Sequence, residues 1–243
     1  MRDNLRRSRA ICHALTPAYP TPPTGHFARH VHTLAALIRG IVGGKSTPLP
    51  HIATKVADGC KPESRVKRFA RWLDNAWSLE ERYCLPSAEI LLTQLALETL
   101  VLVMDGSVVG RGCVALMIHV ISKGRALPLA WRVRQGPKGP FPEALHIAVV
   151  ELRREVIPAG TTVVFLGDGA FDGTALQATR HEAGWSSTCR TALSTTATWE
   201  GTTFRLDTLG ACRKPGTLIA LKEVKFTRDA YGPVMVLSCW AKG

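Results

Sequence analysis

Thr99-Leu-Val-Leu-Val-Met-Asp105 and Thr161-Thr-Val-Val-Phe-Leu-Gly-Asp168 each run a string of apolar, mostly β-type residues into an aspartate. Runs of this length and composition predict buried strands, and a buried strand has no use for an unpaired carboxylate. Each aspartate is therefore expected at the C-terminal end of its strand, where open α/β sheets place ligands. Two acids delivered to one rim call for a positive partner, and Asp105 and Asp168 are the candidate catalytic and metal-binding residues.

Outward from these stretches, residues 87–191 alternate between strand and amphipathic helix patterns. The expected order is a helix at Ser87–Leu97, a strand at 99–105, a tight turn from Gly106 to Gly112, and strands at Cys113–Ser122 and Ala126–Val133. A Gly/Pro-rich loop then leads to a helix at Pro142–Glu155, a strand at 162–167, a helix at Asp172–Ala183 and a short strand at Trp185–Thr191. Three antiparallel strands, a helix and a parallel strand returning beside the first is the order of a ribonuclease-H-like core, so the fold class is α/β with a mixed sheet of the α+β kind. In that order strands one and four are neighbours and their two aspartates share a rim. Carboxylates so held suit Mg²⁺ or Mn²⁺, which prefer oxygen ligands, and two such ions activate an attacking oxygen and stabilise a leaving oxygen of a phosphodiester. An Asp-Gly pair is also an ordinary turn former, so each aspartate taken alone also fits a turn.

The net charge of +12 is unevenly spread. Residues 1–86 hold 14 basic and 6 acidic side chains, which makes this part the expected polyanion-binding surface. Residues 1–26 read as an irregular lead-in because Pro17, Pro20, Pro22 and Pro23 interrupt any helix. Residues 27–86 read as a small helical domain: His30–Ile41 with one apolar face ending at Gly43-Gly44, then Leu49–Ala57 and Glu63–Trp77. The last two, split by Asp58-Gly59-Cys60-Lys61-Pro62, have the outline of a helix-turn-helix. Arg65, Lys67, Arg68 and Arg71 would present a cationic face to DNA, or serve only a structural basic bundle. Gly43-Gly-Lys-Ser-Thr47 is not a phosphate loop, since Arg39 stands where the first glycine belongs and no strand precedes it.

Seven cysteines without a C-x-x-C pair predict reduced thiols in a cytoplasmic protein. The most apolar stretch, Ile90–Met104, contains Gln94 and Glu98 and is too short for a bilayer, and no apolar run follows the N-terminal arginines as in a secretory signal. Residues 192–243 read as β-rich, with strand-like stretches at Thr198–Leu206, Leu218–Phe226 and Val234–Trp240 and turns at Lys214-Pro-Gly216 and Tyr231-Gly-Pro233. Trp185 and Trp240 read as core residues, while Trp199 beside Arg190, Arg205 and Arg213 admits a base-stacking role. His119 and His146 have no companion at ligand spacing. Lys123, Arg125, Arg132 and Arg134 around the third strand suit either a DNA path or a solvated face.

Val101-Leu-Val-Met-Asp-Gly-Ser107, Gly124-Arg-Ala-Leu-Pro-Leu-Ala-Trp131, Val164-Phe-Leu-Gly-Asp-Gly-Ala-Phe-Asp-Gly173 and the basic Lys61–Phe69 region together resemble DDE transposases of bacterial insertion sequences, in the branch whose catalytic core carries a β-rich insertion. The resemblance implies a ribonuclease-H-like enzyme that cuts transposon ends and joins them to target DNA with Mg²⁺ or Mn²⁺, acting as a homo-oligomer on DNA. Asp105 matches the first acid and Asp168 the second, while Asp172 is expected to cap a helix. The third acid of that branch is a glutamate on a helix after the insertion. The sequence ends at Gly243 before such a segment, so the expectation is a truncated transposase, weakly active or inactive alone, with an exposed apolar sheet face where that helix would lie. The alternative is a non-catalytic DNA-binding or inhibitory fragment.

Overall fold

A computed structural model describes residues 2–56, 58–76, 80–96, 99–137, 139–209, 214, 216–227 and 230–239. The chain divides into two compact units: residues 1–95 with 156–158, and residues 96–155 with 159–243.

The first unit is helical: α1 (Arg2–Leu15), α2 (Gly25–Gly44), α3 (Leu49–Thr54), α4 (Pro62–Leu73), α5 (Glu80–Tyr83) and α6 (Leu85–Leu95). The lead-in is thus not irregular throughout. The four prolines all fall after α1, where they cannot break it, and Ile11, Cys12 and Leu15 give α1 a half-buried side with α1 lying against α2. Helix α2 runs through Gly43 and Gly44, and Lys45 takes the left-handed capping position at φ 47°. Inside α2, Gly40 permits a close approach: a Cβ there would sit 2.3 Å from Ile52 Cγ2. α2, α3 and α4 enclose Ala36, Leu37, Ile52, Ala53, Val56 and Phe69. Burying Ile52 or Phe69 contributes about 2 kcal/mol each. The expected ends of two helices and a third, at Ala57, Trp77 and Leu97, lie outside the described residues.

The second unit holds two sheets. The first contains β1 (Leu100–Gly110), β2 (Cys113–Ser122), β3 (Arg125–Gln135), β4 (Val163–Gly167) and β5 (Ser186–Cys189), in the order β3-β2-β1-β4-β5. β1, β2 and β3 form an antiparallel meander, while β4 runs parallel to β1 and β5 parallel to β4. Between them, α7 (Glu143–Arg154) lies on β2 and β3, and α8 (Thr174–Glu182) on β5. The β1 pattern puts Leu100, Leu102 and Met104 on the buried face, with Leu116, Ile118 and Val120 of β2 and Val163 and Phe165 of β4 beside them.

One expectation about β1 is corrected. Gly106–Gly112 is not a turn: β1 continues through Gly106 to Gly110 in register with β2, and the reversal is at Arg111-Gly112, both at positive φ. Gly106 is needed where it is, since a Cβ would meet the Phe141 ring at 2.8 Å.

The second sheet, in the order β7-β6-β8-β9, comprises β6 (Thr196–Trp199), β7 (Thr202–Arg205), β8 (Leu218–Phe226) and β9 (Tyr231–Cys239). The stretch 198–206 is therefore not one strand. Glu200 and Gly201 turn back at φ 50° and 78°, a two-residue hairpin connection whose twist suits the flanking strands. β9 starts at Tyr231 instead of turning there, and the expected turn at 214–216 and the end of the last strand at Trp240 include residues outside the described set. The six described cysteines are free, and Cys212 is outside that set. Among the described residues, no helix is long and apolar enough to cross a membrane.

Candidate functional site

The parallel ladder between β1 and β4 pairs Leu100 with Val163 and ends with Val103 opposite Leu166. Asp105 and Asp168 have the same sequence offset as every pair in that ladder, but both lie two steps past its last pair: Asp105 is still in β1, paired with β2, and Asp168 is in the turn that follows β4. Side chains alternate along a strand, so Val101, Val103 and Asp105 share a face with Val164 and Leu166. That is the face opposite Leu102 and Phe165. It is only partly open: Ile121, Val133 and Leu166 are 37%, 55% and 37% exposed, while Val101, Val103, Met117 and Trp131 are half-buried and Ala115 is buried. His119 of β2 stands on the same face, opposite Val103.

The two aspartates differ in local role. Asp105 lies within a strand, so the turn reading does not apply to it, and its Oδ2 accepts a 3.2 Å hydrogen bond from Ser107 Oγ. Asp168 does head a turn: the Ala170 N–H donates to its Oδ1 at 2.9 Å and the Phe171 N–H to its carbonyl at 3.0 Å. Both side chains are exposed, and among the described residues neither has an ion-pair partner. Among those residues no three His, Cys, Asp or Glu side chains converge to hold a metal ion. A cation at this rim would take its remaining ligands from water or a bound phosphodiester, a donor set that suits Mg²⁺.

Two other acids of this unit, Asp172 and Glu143, are engaged. Asp172 does not cap α8: the N-cap position is Gly173, and Asp172 Oδ2 accepts a hydrogen bond from Thr191 Oγ1. The cap comes from another helix, where Glu143 Oε1 accepts the Leu176 N–H at 2.9 Å. A Cβ on Gly173 would sit 2.2 Å from that oxygen, so glycine keeps the space for the carboxylate. Nothing local in the sequence marks Glu143, because its partner lies 33 positions away.

The four candidate DNA-contacting residues of α4 fall into two pairs. Arg65 is 8% exposed and donates through Nε to Asp58 Oδ1 at 2.5 Å and through Nη1 to the Ala53 carbonyl at 2.9 Å. Arg68 Nη2 reaches Asp58 Oδ2 at 2.7 Å. Burial opposes ionisation of Asp58, but the bonds from Arg65, Arg68 and the Cys60 N–H outweigh it and hold its carboxyl below 3.8. The reading of Arg65 as part of an outward cationic face is corrected: the residue clamps the α3–α4 turn, because a carboxylate in that turn draws it inward. Lys67 and Arg71 remain exposed, with Arg71 Nε bonded to the Lys67 carbonyl.

Elsewhere, Trp185 is buried and Trp199 packs into the core of the second sheet, which leaves neither ring as a free stacking platform. Arg205 pairs with Asp207 at 2.6 Å, and Arg213 and Trp240 lie outside the described residues. On β3, Arg134 lies over the Phe141 ring at 5.3 Å. His146 is a core residue against Phe171, with its pKa pushed below 6.5 by burial. No protein-family model matches this chain, and no curated protein is a significant match to it.

Proposed function

We propose that this chain is a metal-dependent DNA-processing enzyme of the DDE transposase kind, with the five-stranded sheet as a ribonuclease-H-like core and Asp105 and Asp168 as its first two acids. What supports the reading is one observation: two exposed carboxylates, without cationic partners among the described residues, follow two neighbouring parallel strands at the same offset, two residues beyond the last pair of their ladder. Gathering two negative charges there is unfavourable unless a cation joins them. A divalent ion bound there would act as a Lewis acid on phosphodiester oxygens. The residues themselves fit that task. Asp105, within β1, accepts the Ser107 hydroxyl on Oδ2 and so keeps Oδ1 for a ligand, while the Asp168 turn fixes Oδ1 through the Ala170 N–H and keeps Oδ2 for one. The exposed Lys67 and Arg71, in the part of the chain richest in positive charge, supply phosphate contacts that hold DNA, with an oligomer of the chain working on transposon ends and target.

The test is nicking of a transposon-end duplex in Mg²⁺ or Mn²⁺ by the full chain and by Asp105→Asn. Activity above background that Asp105→Asn removes, with DNA affinity intact, is the expected result. Activity unchanged in Asp105→Asn would refute the assignment. The second reading, a DNA-binding fragment without catalysis, rests on Lys67 and Arg71 alone: binding weakened by Lys67→Ala/Arg71→Ala, with no metal-dependent nicking, would favour it.

A further inference from the structure

Arg180 of α8 is fully buried, at 0% exposure, more deeply than the two other buried arginines, Arg39 and Arg65. Among the described residues no carboxylate forms a salt bridge with it, and its Nε and Nη1 have no hydrogen-bond partner. Burial opposes its charge; the Cys189 thiol offsets this most, followed by Tyr231, and Asp172, the one carboxylate that bears on it, is engaged by Thr191. What receives the guanidinium instead is the ring of Phe165, with its carbon 4.1 Å from the centroid, and the carbonyl of Phe171, 3.4 Å from Nη2. The half-buried thiol of Cys189 adds a second bond to that same carbonyl at 3.3 Å.

These contacts bracket the candidate metal ligand. Phe165 lies three residues before Asp168 and Phe171 three residues after it. The Phe171 N–H closes the turn onto the Asp168 carbonyl at 3.0 Å, so Arg180 is two bonds from the backbone that aims the carboxylate. The turn is also tightly packed: a Cβ at Gly167 would meet Phe171 Cβ at 2.9 Å, the Phe165 ring at 3.1 Å and Cys189 Sγ at 3.3 Å. A buried cation without a carboxylate carries a desolvation cost that a well-packed apolar side chain would avoid. Its presence at this place therefore calls for a role other than stability.

We infer that Arg180 is a positioning residue, which clamps Phe165 and Phe171 so that the intervening Asp168 presents its carboxylate to the rim in a fixed geometry. This rests on the reading of Asp168 as a metal ligand. Residues that orient a ligand from behind typically change metal affinity by about 10- to 100-fold when lost.

The experiment uses the full chain and Arg180→Met, which keeps the length and removes the charge. Two readouts are taken: amide hydrogen exchange at Ala170 and Phe171, and Mn²⁺ affinity. The expected result is an unfolding midpoint equal to or above wild type, turn amides exchanging at least about tenfold faster, and Mn²⁺ bound about tenfold or more weakly. Arg180→Lys should recover part of both. Wild-type exchange and affinity in folded Arg180→Met would overturn the inference. Should that variant not fold, Phe165→Leu removes the ring beneath the guanidinium and must shift both readouts in the same direction, or the inference fails. A wild-type chain with no Mn²⁺ binding sensitive to Asp168→Asn would refute the metal reading instead, and the exchange data would still decide whether Arg180 holds the turn.

Discussion

Asp58 and the pair Asp105/Asp168 use the same functional group in opposite ways. Asp58, in the turn before α4, is gripped by Arg65, Arg68 and a backbone N–H, and that turn is fixed by the grip. Asp105 and Asp168 have a hydroxyl and a backbone amide for company but no cation among the described residues. An acid whose charge is already compensated is part of the architecture. Asp105 and Asp168 carry no such compensation among the described residues, and under the proposed function that leaves them free to take a ligand.

The largest expected effect that could break this contrast is at Asp58. Asp58→Asn leaves Arg65 buried without its charge partner, and urea unfolding followed by tryptophan fluorescence should show a loss of about 3 kcal/mol. Because the folded carboxyl is held below its ordinary 3.8, the stabilisation is fully present above that pH and disappears as pH falls through the lower folded value. A substitution that costs nothing would place Asp58 among the idle acids.

Next in size is the metal-linked effect at the rim. In EDTA, Asp168→Asn should change stability by no more than about 0.5 kcal/mol, as for an exposed side chain without a charged partner. Saturating Mg²⁺, at about a hundred times its dissociation constant, should raise wild-type stability by about 2.7 kcal/mol and leave Asp105→Asn and Asp168→Asn unmoved. A melting curve indifferent to Mg²⁺ in all three proteins would dissolve the distinction.

Glu143 is a further structural acid, paired with a helix N-terminus instead of a cation. Gly173→Ala should displace its carboxylate from the Leu176 N–H and cost about 1 kcal/mol, the usual value of a lost cap. In a Glu143→Ala background the same change should cost nothing, and an undiminished cost in the double mutant would show that the glycine serves another purpose. The smallest effect is a slope. His146 is held neutral by burial, with Arg180 acting in the same direction and Glu143 against it, so its folded pKa lies below 6.5. The unfolded chain then binds the extra proton, and stability should fall as pH drops below 6.5. His146→Leu should flatten that dependence in a thermal-melt series.

Much of the first sheet was legible in the sequence because its strands are apolar runs bounded by Gly, Pro and Lys-Gly, and because α7 and α8 show a helical period between them. The reading of Asp105 as a strand end failed for a physical reason. β1 loses its β4 neighbour after Val103 but keeps β2, and Val108 and Val109, exposed at 59% and 52%, gave no burial pattern to extend it. Helix α1 was obscured by four prolines that all lie beyond it. The hairpin at Glu200-Gly201 lacked an Asn-Gly or Asp-Gly signal. Arg65 looked like its neighbours on α4, and its burial depends on where Asp58 falls after the turn closes.

The sequence by itself determined the succession of strands and helices, the two aspartates that follow apolar runs, and the concentration of positive charge in the first third of the chain. These are local properties, set by period and residue type. Which carboxylates are neutralised, which helix receives the Glu143 cap, which arginine is drawn inside and which face of the sheet stays partly open were decided only by tertiary structure. Electrostatic and hydrogen-bonded partnership depends on distances of a few ångströms between groups far apart along the chain, and those distances exist only once the elements have packed.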